Sequence, residues 1–333
     1  MYLNAISYYL PEQTLTNEDI HRDFPEWSVD KIARKTGIYS RRRAAPDETS
    51  GDMAVRAAEN LFEEHRIDRA HIDFVLLCTQ SPDYFLPTTA CLLQDRLKLP
   101  TTCGALDFNL GCSGYVYGLG IAKGLIATGQ ARRVLLITSE TYSKFVGARD
   151  KSNKTIFGDA AAATLVSDQP LGYRIREFVY GTDGSGGKHL MVPEGGMRNR
   201  SGQQTVVSDE YGNERASGDL YMDGQEVFLF TLTQVPRMVR ETVLKNRLTV
   251  AETDLFIFHQ ANQFILEHLR KKLKIAPERF VLHLRDTGNT VSSTIPIALC
   301  EVERAQRARR GAQVMLAGFG VGLSWGGTVL EKL

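Results

Sequence analysis

Cys112 has the sequence context of a nucleophile. It follows a predicted strand at residues 103–110, lies in the tetrapeptide Gly111-Cys112-Ser113-Gly114, and precedes a helical pattern. A thiol at the start of a helix is close to free backbone N–H groups and to the positive end of the helix dipole, which favour the thiolate. Such a thiolate could attack an acyl carbon. The alternative interpretation is a small, buried hydrophobic side chain.

His259 and Asn289 are the residues best placed to assist such a nucleophile. His259 directly follows a predicted strand at 255–258, and catalytic groups of α/β proteins gather at the carboxyl ends of strands. Asn289 lies in the turn 286–290 before a predicted helix, where an asparagine is usually only a cap or a turn residue. Both side chains could donate hydrogen bonds to a developing oxyanion, and the glycine-rich turn 318–322 could offer backbone N–H groups to a second one.

A weak internal repeat indicates how these residues are brought together. Segment 72–78 resembles 253–259, and segment 133–138 resembles 313–318; all four have the apolar character of buried strands. Predicted helices at 53–65, 112–128, 235–246 and 291–307 precede them. Alternating strands and helices favour an α/β protein with helix-covered mixed sheets and two similar halves, which we place at residues 1–170 and 171–333. Asn289 then holds nearly the position in the second half that Cys112 holds in the first.

Composition excludes several classes of protein. The 333 residues contain 40 Lys and Arg against 39 Asp and Glu, so no overall field attracts nucleic acid or an anionic membrane. Five scattered cysteines without CxxC spacing argue against a disulfide framework or a zinc site and favour a reducing cytoplasm. No signal peptide or membrane-length apolar run is visible, so we expect a soluble cytoplasmic protein. The glycines near the end of the chain do not open a βαβ unit, which disfavours a dinucleotide-binding dehydrogenase.

Several motifs follow one another along nearly the whole chain, at residues 36–38 with 41–43, 111–114, 156–159, 223–228, 259–262, 288–290 and 318–327. In kind and in order they resemble the β-ketoacyl-acyl-carrier-protein synthase III family of the thiolase superfamily. The resemblance implies a thiolase-like fold, in which two pseudo-symmetric βαβαβ-type halves form a layered α-β-α-β-α core. The N-terminal half would carry the nucleophile, and the C-terminal half would carry the histidine and the asparagine.

The resemblance also implies a mechanism. Cys112 would accept an acyl group from acyl-CoA, and malonyl-acyl carrier protein would lose CO2 to form an enolate that His259 and Asn289 stabilise. Attack of this carbanion on acyl-Cys112 would give 3-oxoacyl-acyl carrier protein. Phe319, Gly320 and Val321 would support the oxyanion and the decarboxylation. No metal and no cofactor besides the CoA thioester is expected.

Substrate contacts follow from the same resemblance. Leu86 would close the acyl pocket, and the residues expected to bind CoA or the carrier are Lys35, Lys151, Gly224, Arg270, Lys271 and Lys272. The active form would be a homodimer in which the Tyr84–Pro87 region of one subunit lies near the pocket of the other.

Some positions depart from the family pattern. Trp27 is eight residues before Lys35 rather than four, Lys151 replaces an arginine, Phe264 replaces an arginine and Leu86 replaces a phenylalanine. Lysine keeps the charge of arginine but loses its planar stacking surface. These departures favour a specialised member and leave open an acyltransferase or condensing enzyme of a secondary lipid or natural-product pathway with another donor or acceptor. A non-catalytic partner subunit is disfavoured, because such subunits typically lack the nucleophile.

Overall fold

The computed structural model describes residues 1–200, 205–209 and 212–333. Its strands are β1 (Tyr2–Tyr9), β2 (Gln13–Thr16), β3 (Ser40–Arg43), β4 (Phe74–Cys78), β5 (Gly104–Phe108), β6 (Arg133–Glu140), β7 (Ala160–Ser167), β8 (Tyr173–Thr182), β9 (Leu190–Met191), β10 (Val206–Ser208), β11 (Glu214–Ala216), β12 (Tyr221–Met222), β13 (Leu255–Phe258), β14 (Gln313–Gly320) and β15 (Ser324–Lys332).

The helices alternate with these strands. They are α1 (Asn17–Asp23), α2 (Val29–Thr36), α3 (Ser50–His65), α4 (Thr89–Arg96), α5 (Gly114–Ala127), α6 (Lys151–Lys154), α7 (Gly224–Lys245), α8 (Gln263–Lys272) and α9 (Thr294–Arg304). Short 3-10 turns include Val291–Ser293, directly before α9. Within the described residues, no helix has both the length and the apolar character needed to cross a membrane.

Nine strands form one sheet in the order β13-β14-β15-β8-β1-β7-β6-β4-β5. Outward from the central β1–β8 pair, each side has the same pattern: an antiparallel pair (β6 with β7, β14 with β15) and then a parallel pair (β4 with β6, β13 with β14). The outermost strand β5 has its counterpart in a single parallel bridge from Phe256 to Phe280. Two pseudo-symmetric halves are therefore confirmed. Division into domains between residues 170 and 171, in the segment from β7 to β8, stays a prediction.

Helices cover both faces of each half. Helices α3 and α4 pack on the strands of the N-terminal half, and α7 and α8 on the other side of the molecule against the C-terminal half. Between them, α5 contacts strands of both halves, and α9 contacts β1, β7 and β13. Because α5 and α9 lie between the strands of the two halves, and the other helices named here lie outside them, the layers follow the predicted order α-β-α-β-α.

The central helix α5 explains the glycines before and within it. It buries Tyr115, Val116 and Leu119, as expected of a helix packed on several sides. A Cβ added at Gly114 would lie 2.2 Å from the sulfur of Cys78, and one at Gly118 or Gly120 would also collide with a neighbouring side chain. Gly124 has no atom within 4 Å of such a Cβ, so close packing does not account for it.

Two predicted helices differ from the observed ones. Helix α7 begins at Gly224 rather than near residue 235, because Asp223 caps it by accepting from the N–H groups of Gln225 and Glu226. Pro236 lies inside this helix. The helix predicted at 291–307 is divided into the 3-10 turn Val291–Ser293 and α9.

Candidate active site

Cys112 lies two residues before α5 and is buried, with 6% of its surface exposed. The end of β14 faces it: a Cβ added at Gly320 would lie 2.8 Å from both Cβ and Sγ of Cys112. A Cβ at Gly318 would lie 2.8 Å from Cα of Ser113. Glycine is therefore required at these positions for the C-terminal half to approach the nucleophile.

Burial dominates the ionisation of this thiol. It raises the pKa of Cys112 to about 12, and the nearby Glu140 carboxyl acts in the same direction. Backbone hydrogen bonds from Val321 and from Cys112 itself stabilise the thiolate but do not offset the burial. Backbone N–H groups at the helix start thus favour the thiolate, but desolvation is the larger effect and keeps the thiol protonated in the substrate-free site.

His259 follows β13 and is buried next to Asn289. Its Nε2 lies 3.4 Å from Nδ2 of Asn289, and its Nδ1 lies 2.8 Å from the hydroxyl oxygen of Thr294. Burial lowers the pKa of His259 to about 3, so the ring is neutral at ordinary pH. Two nitrogens so close together can direct hydrogen bonds to one shared oxygen atom.

The turn that carries Asn289 is held by the N-terminal half. The Asn289 N–H donates to the carbonyl of Ile156 at 2.9 Å, and the Gly158 N–H donates to the Asn289 carbonyl at 3.0 Å. The side-chain Oδ1 accepts from the Val291 N–H at 2.9 Å, which leaves the amide nitrogen on the His259 side. Gly288 is required here because its φ is +71° and an added Cβ would lie 2.8 Å from the Ile156 carbonyl oxygen.

Phe319 joins the two parts of the site. Its buried ring meets the His259 ring edge to face, with centroids 5.6 Å apart, and the next residue, Gly320, touches Cys112. The structure therefore brings Cys112, His259 and Asn289 to one region through the end of β14, as the sequence predicts.

A cavity of about 680 Å³ with more apolar than polar surface lies near the nucleophile, although Cys112 itself is not among its lining residues. Tyr142, Leu190 and Leu220 line it and belong to the same hydrophobic cluster as Cys112, and Val321 lies between the cavity and the sulfur. A cavity of this kind next to a thiol suits an acyl chain.

Leu86 does not line this cavity in the single chain. It is 86% exposed, while its neighbours Tyr84 and Phe85 lie at the cavity rim. The role predicted for Leu86 thus depends on a second subunit and stays a prediction.

A separate cavity of about 370 Å³ has one of the residues predicted to bind CoA or the carrier in its lining. Lys151 lines it and pairs with Glu26, with 2.9 Å between Nζ and Oε1. Despite the longer spacing in sequence, Lys35 lies over the Trp27 ring, 5.6 Å from its centroid. Gly224 is exposed at the start of α7.

The predicted carrier patch on α8 is only partly available. Arg270 pairs with Glu267 at 2.7 Å and donates to the Ile275 carbonyl, whereas Lys271 is exposed. Lys272 donates to the Leu232 carbonyl at 2.8 Å. The side chain of Phe264, which is 53% exposed, packs nearby against Phe228 and His268.

Sequence reasoning missed Glu140, Tyr142 and Thr294. Glu140 is fully buried at the end of β6, where burial raises its pKa to about 8. A charged residue at the end of a strand is usually exposed to solvent. The length of the apolar run before Glu140 is the only feature of the sequence that indicates its burial. Within the part of the chain that the structure covers, no cluster of three His, Cys, Asp or Glu residues could hold a metal ion.

Comparison with known proteins agrees with this geometry. The family model for 3-oxoacyl-[acyl-carrier-protein] synthase III matches residues 106–184, and the model for its C-terminal part matches residues 243–332. A β-ketoacyl-[acyl-carrier-protein] synthase III of Caldanaerobacter subterraneus is 35% identical over 97% of this chain and 95% of its own.

Solved structures are similarly close. A crystal structure of a 3-oxoacyl-(acyl-carrier-protein) synthase III is 47% identical, with a TM-score of 0.96, and the match covers 99% of this chain and 98% of that one. A β-ketoacyl-[acyl-carrier-protein] synthase III from Thermus thermophilus is 34% identical, with a TM-score of 0.87 and 99% of both chains covered. The resemblance in the motifs is thereby confirmed: the chain belongs to the β-ketoacyl-[acyl-carrier-protein] synthase III family of condensing acyltransferases.

Proposed function

We propose that the protein condenses an acyl group from acyl-CoA with malonyl-acyl carrier protein, with loss of CO2, to give 3-oxoacyl-acyl carrier protein and CoA. This proposal rests on one observation: two different sets of hydrogen-bond donors, each suited to an oxyanion, lie near Cys112. Backbone N–H groups of Cys112 and Val321 surround the sulfur, and the neutral His259 and Asn289 lie on the other side of Phe319.

In the first step the Cys112 sulfur attacks the thioester carbonyl of acyl-CoA. A sulfur–carbon bond forms, the bond to the CoA sulfur breaks, and the Cys112 proton ends on the CoA thiol. The N–H groups of Cys112 and Val321 stabilise the tetrahedral oxyanion. The adjoining apolar cavity takes the acyl chain.

In the second step the malonyl group loses CO2, and the electron pair of the broken carbon–carbon bond forms an enolate. His259 and Asn289 donate hydrogen bonds to its oxygen. For this, Nε2 of His259 carries the proton, and the Thr294 hydroxyl turns to Nδ1 from the Val291 carbonyl, to which it donates in the substrate-free site. The apolar Phe319 disfavours the departing carboxylate. The enolate carbon attacks acyl-Cys112, and the released thiolate takes up one proton from solvent. No metal and no further cofactor enters this scheme.

One observation favours a second candidate, the transfer or condensation of an acyl group with another donor or acceptor. Glu26, paired with Lys151, and Asp23 line the cavity that contains Lys151, a residue predicted to bind CoA or the carrier. These two carboxylates balance the charges of Arg149 and Lys151 in the same lining, so the cavity has no excess positive charge to attract the phosphates of CoA. A donor without a nucleotide, such as an acyl-carrier protein, would not need such an attraction.

We also propose a homodimer in the cytoplasm. The exposed side chains of Tyr84, Phe85 and Leu86 form an apolar stretch at the mouth of the acyl cavity, which a second copy would cover. The five cysteines are free thiols, as suits a reducing compartment. Light scattering of the purified protein tests the dimer.

Intact-protein mass spectrometry tests the reaction. The protein is incubated with acyl-CoAs from acetyl to long chain, next to a Cys112→Ala variant, and then given malonyl-acyl carrier protein. A Cys112-dependent acyl adduct that disappears as 3-oxoacyl carrier forms is expected. An adduct only from acyl-carrier donors would favour the second candidate, and no adduct from either donor would overturn the covalent mechanism.

A further inference from the structure

Glu140 is a buried carboxyl group that the proposed reaction leaves without a task. Its Oε1 accepts from the Ser292 hydroxyl at 2.9 Å. Its Oε2 accepts from the Gln80 N–H at 3.1 Å and from the Ser81 hydroxyl at 3.3 Å. These bonds offset only part of the cost of burial. A carboxyl group retained in the interior at such a cost calls for a function.

The bond to Ser292 leads directly to the oxyanion site. Ser292 is the middle residue of the 3-10 turn Val291–Ser293, and the N–H of Val291 holds the Asn289 side chain at 2.9 Å. A shift of this turn would therefore rotate or displace the Asn289 amide. On the other side of Glu140, the hydrogen bond from Gln80 leads to the N-terminal half, where Gln80 is the second residue after β4.

We propose that Glu140 is a positioning residue for the enolate site. By binding Ser292 it fixes the turn Val291–Ser293, so that Nδ2 of Asn289 stays beside Nε2 of His259. The inference rests on the proposed function, because it assigns Glu140 to the malonyl step of that reaction and not to the acylation of Cys112.

The adjacent serine provides a matched control. Ser293 lies in the same 3-10 turn, is equally buried and also bonds across to β6, with its hydroxyl 2.9 Å from that of Thr138. It makes no bond to Glu140 among the contacts described for it. Ser293→Ala thus removes a comparable buried hydrogen bond, whereas Ser292→Ala removes the one that reaches Glu140.

The charge of Glu140 gives a second signature, because a carboxylate near the sulfur raises the pKa of Cys112. This charge is present above the Glu140 pKa of about 8, and in that range Glu140→Gln removes it whereas Ser292→Ala keeps it. The other titratable groups near the sulfur, Cys78 and Tyr142, are held protonated by burial, and Asp159 acts on Glu140 itself. Only Glu140→Gln should move the pH dependence of Cys112 alkylation, and it should move it to lower pH.

The experiment measures the two half-reactions separately in the full-length protein. Acyl-Cys112 formation is followed by intact mass, and decarboxylation by the release of labelled CO2 from malonyl-acyl carrier protein. For Ser292→Ala we expect CO2 release to fall about 10-fold, and for Glu140→Gln, whose amide oxygen can still accept from Ser292, we expect a smaller fall. In both variants acylation at neutral pH should stay within about 2-fold of wild type. Ser293→Ala should leave the ratio of the two rates unchanged, and Ser292→Thr, which keeps the hydroxyl, should recover CO2 release.

Equal losses in Ser292→Ala and Ser293→Ala, or equal losses in both half-reactions, would overturn the positioning role. Melting temperatures show whether each variant is folded. If a variant is not folded, Glu140→Asp is used in its place, because the shorter aspartate side chain withdraws the carboxylate from Ser292 but keeps the charge. A wild-type protein that forms no acyl-Cys112 and releases no CO2 would instead overturn the proposed function itself.

Discussion

The corresponding strands β6 and β14 end in opposite ways. Both have eight residues and both lie between a parallel and an antiparallel neighbour, but β6 ends in Glu140 and β14 ends in Gly320. Gly320 contacts Cys112 of the other half, and Glu140 binds Ser292 beside Asn289 of the other half. Each half thus places the last residue of a strand against a turn of the other half. The turn with Cys112 requires a residue without a side chain, Gly320, whereas the turn beside Asn289 is bonded to a buried hydrogen-bond acceptor, Glu140.

A second pair of equivalent positions shows the same division of roles. Thr79 follows β4 as His259 follows β13. The Thr79 hydroxyl lies within hydrogen-bonding distance of Ser50 and Ser81, inside a structural network, whereas His259 faces Asn289. In the proposed mechanism, one backbone frame therefore supports covalent chemistry in the N-terminal half and oxyanion stabilisation in the C-terminal half.

Removal of the nucleophile should produce the largest difference between the reactions assigned to the two halves. For Cys112→Ala we expect condensation to fall about 10⁴-fold, because no acyl intermediate can form. Release of CO2 from malonyl-acyl carrier protein should persist, since His259 and Asn289 remain. A coupled assay of product and of CO2 checks both rates, and loss of both to the same extent would contradict the division.

The converse change is Asn289→Ala. It removes one donor to the enolate oxygen, so CO2 release should fall about 10²-fold to 10³-fold. Acyl-Cys112 formation should change little, because its oxyanion is held by the backbone of Cys112 and Val321. Rapid-quench measurement of the adduct, with Thr79→Ala as the control at a position equivalent to His259, tests this expectation.

Gly320→Ala should sharpen the comparison at the strand ends. Its Cβ would lie 2.8 Å from Sγ of Cys112, and we expect acylation to fall about 10²-fold through displacement of the sulfur. Gly124→Ala is the matched control, because nothing lies within 4 Å of its added Cβ. That variant should keep full activity and raise the melting temperature slightly, since alanine favours the helix. Equal activity of the two variants would show that the contact at Gly320 is unimportant.

The smallest expected effect concerns pH. Burial holds the pKa of His259 at about 3, below its ordinary value, so the ring stays neutral as pH falls through the usual histidine range. We expect CO2 release to vary less than about 2-fold from His259 ionisation between pH 5 and pH 8. A profile that loses activity with a midpoint near 6.5, absent from the His259→Gln variant, would contradict a neutral donor.

The sequence predicts those parts of the site that short-range patterns mark. Buried strands ending in Cys78 and Phe258 stand out as apolar runs, which leads to the repeat and to His259. The Cys112 turn stands out through its glycines. These signals are local. Asn289 has no such local signal and was reached only through the repeat and the family resemblance, and the roles of the three residues stay predictions.

Properties that depend on distant neighbours were not accessible. The pKa of Cys112 is set by its burial, for which no single segment is responsible. The function of Glu140 depends on Ser292, which is far along the chain. The role predicted for Leu86 depends on the proposed second subunit, and the pairing of Lys151 with Glu26 could not be inferred from their spacing.

The contact of Gly320 with Cys112 also sets the moment at which the protein becomes active. A polypeptide emerges from the ribosome with its N-terminus first, so the Cys112 turn is made long before β14. Until that late strand is in place, the thiol lacks the Val321 N–H and the enolate site lacks Phe319. In the proposed mechanism, a nascent chain therefore carries its nucleophile in an inert state until β14 has been synthesised and has packed against the Cys112 turn.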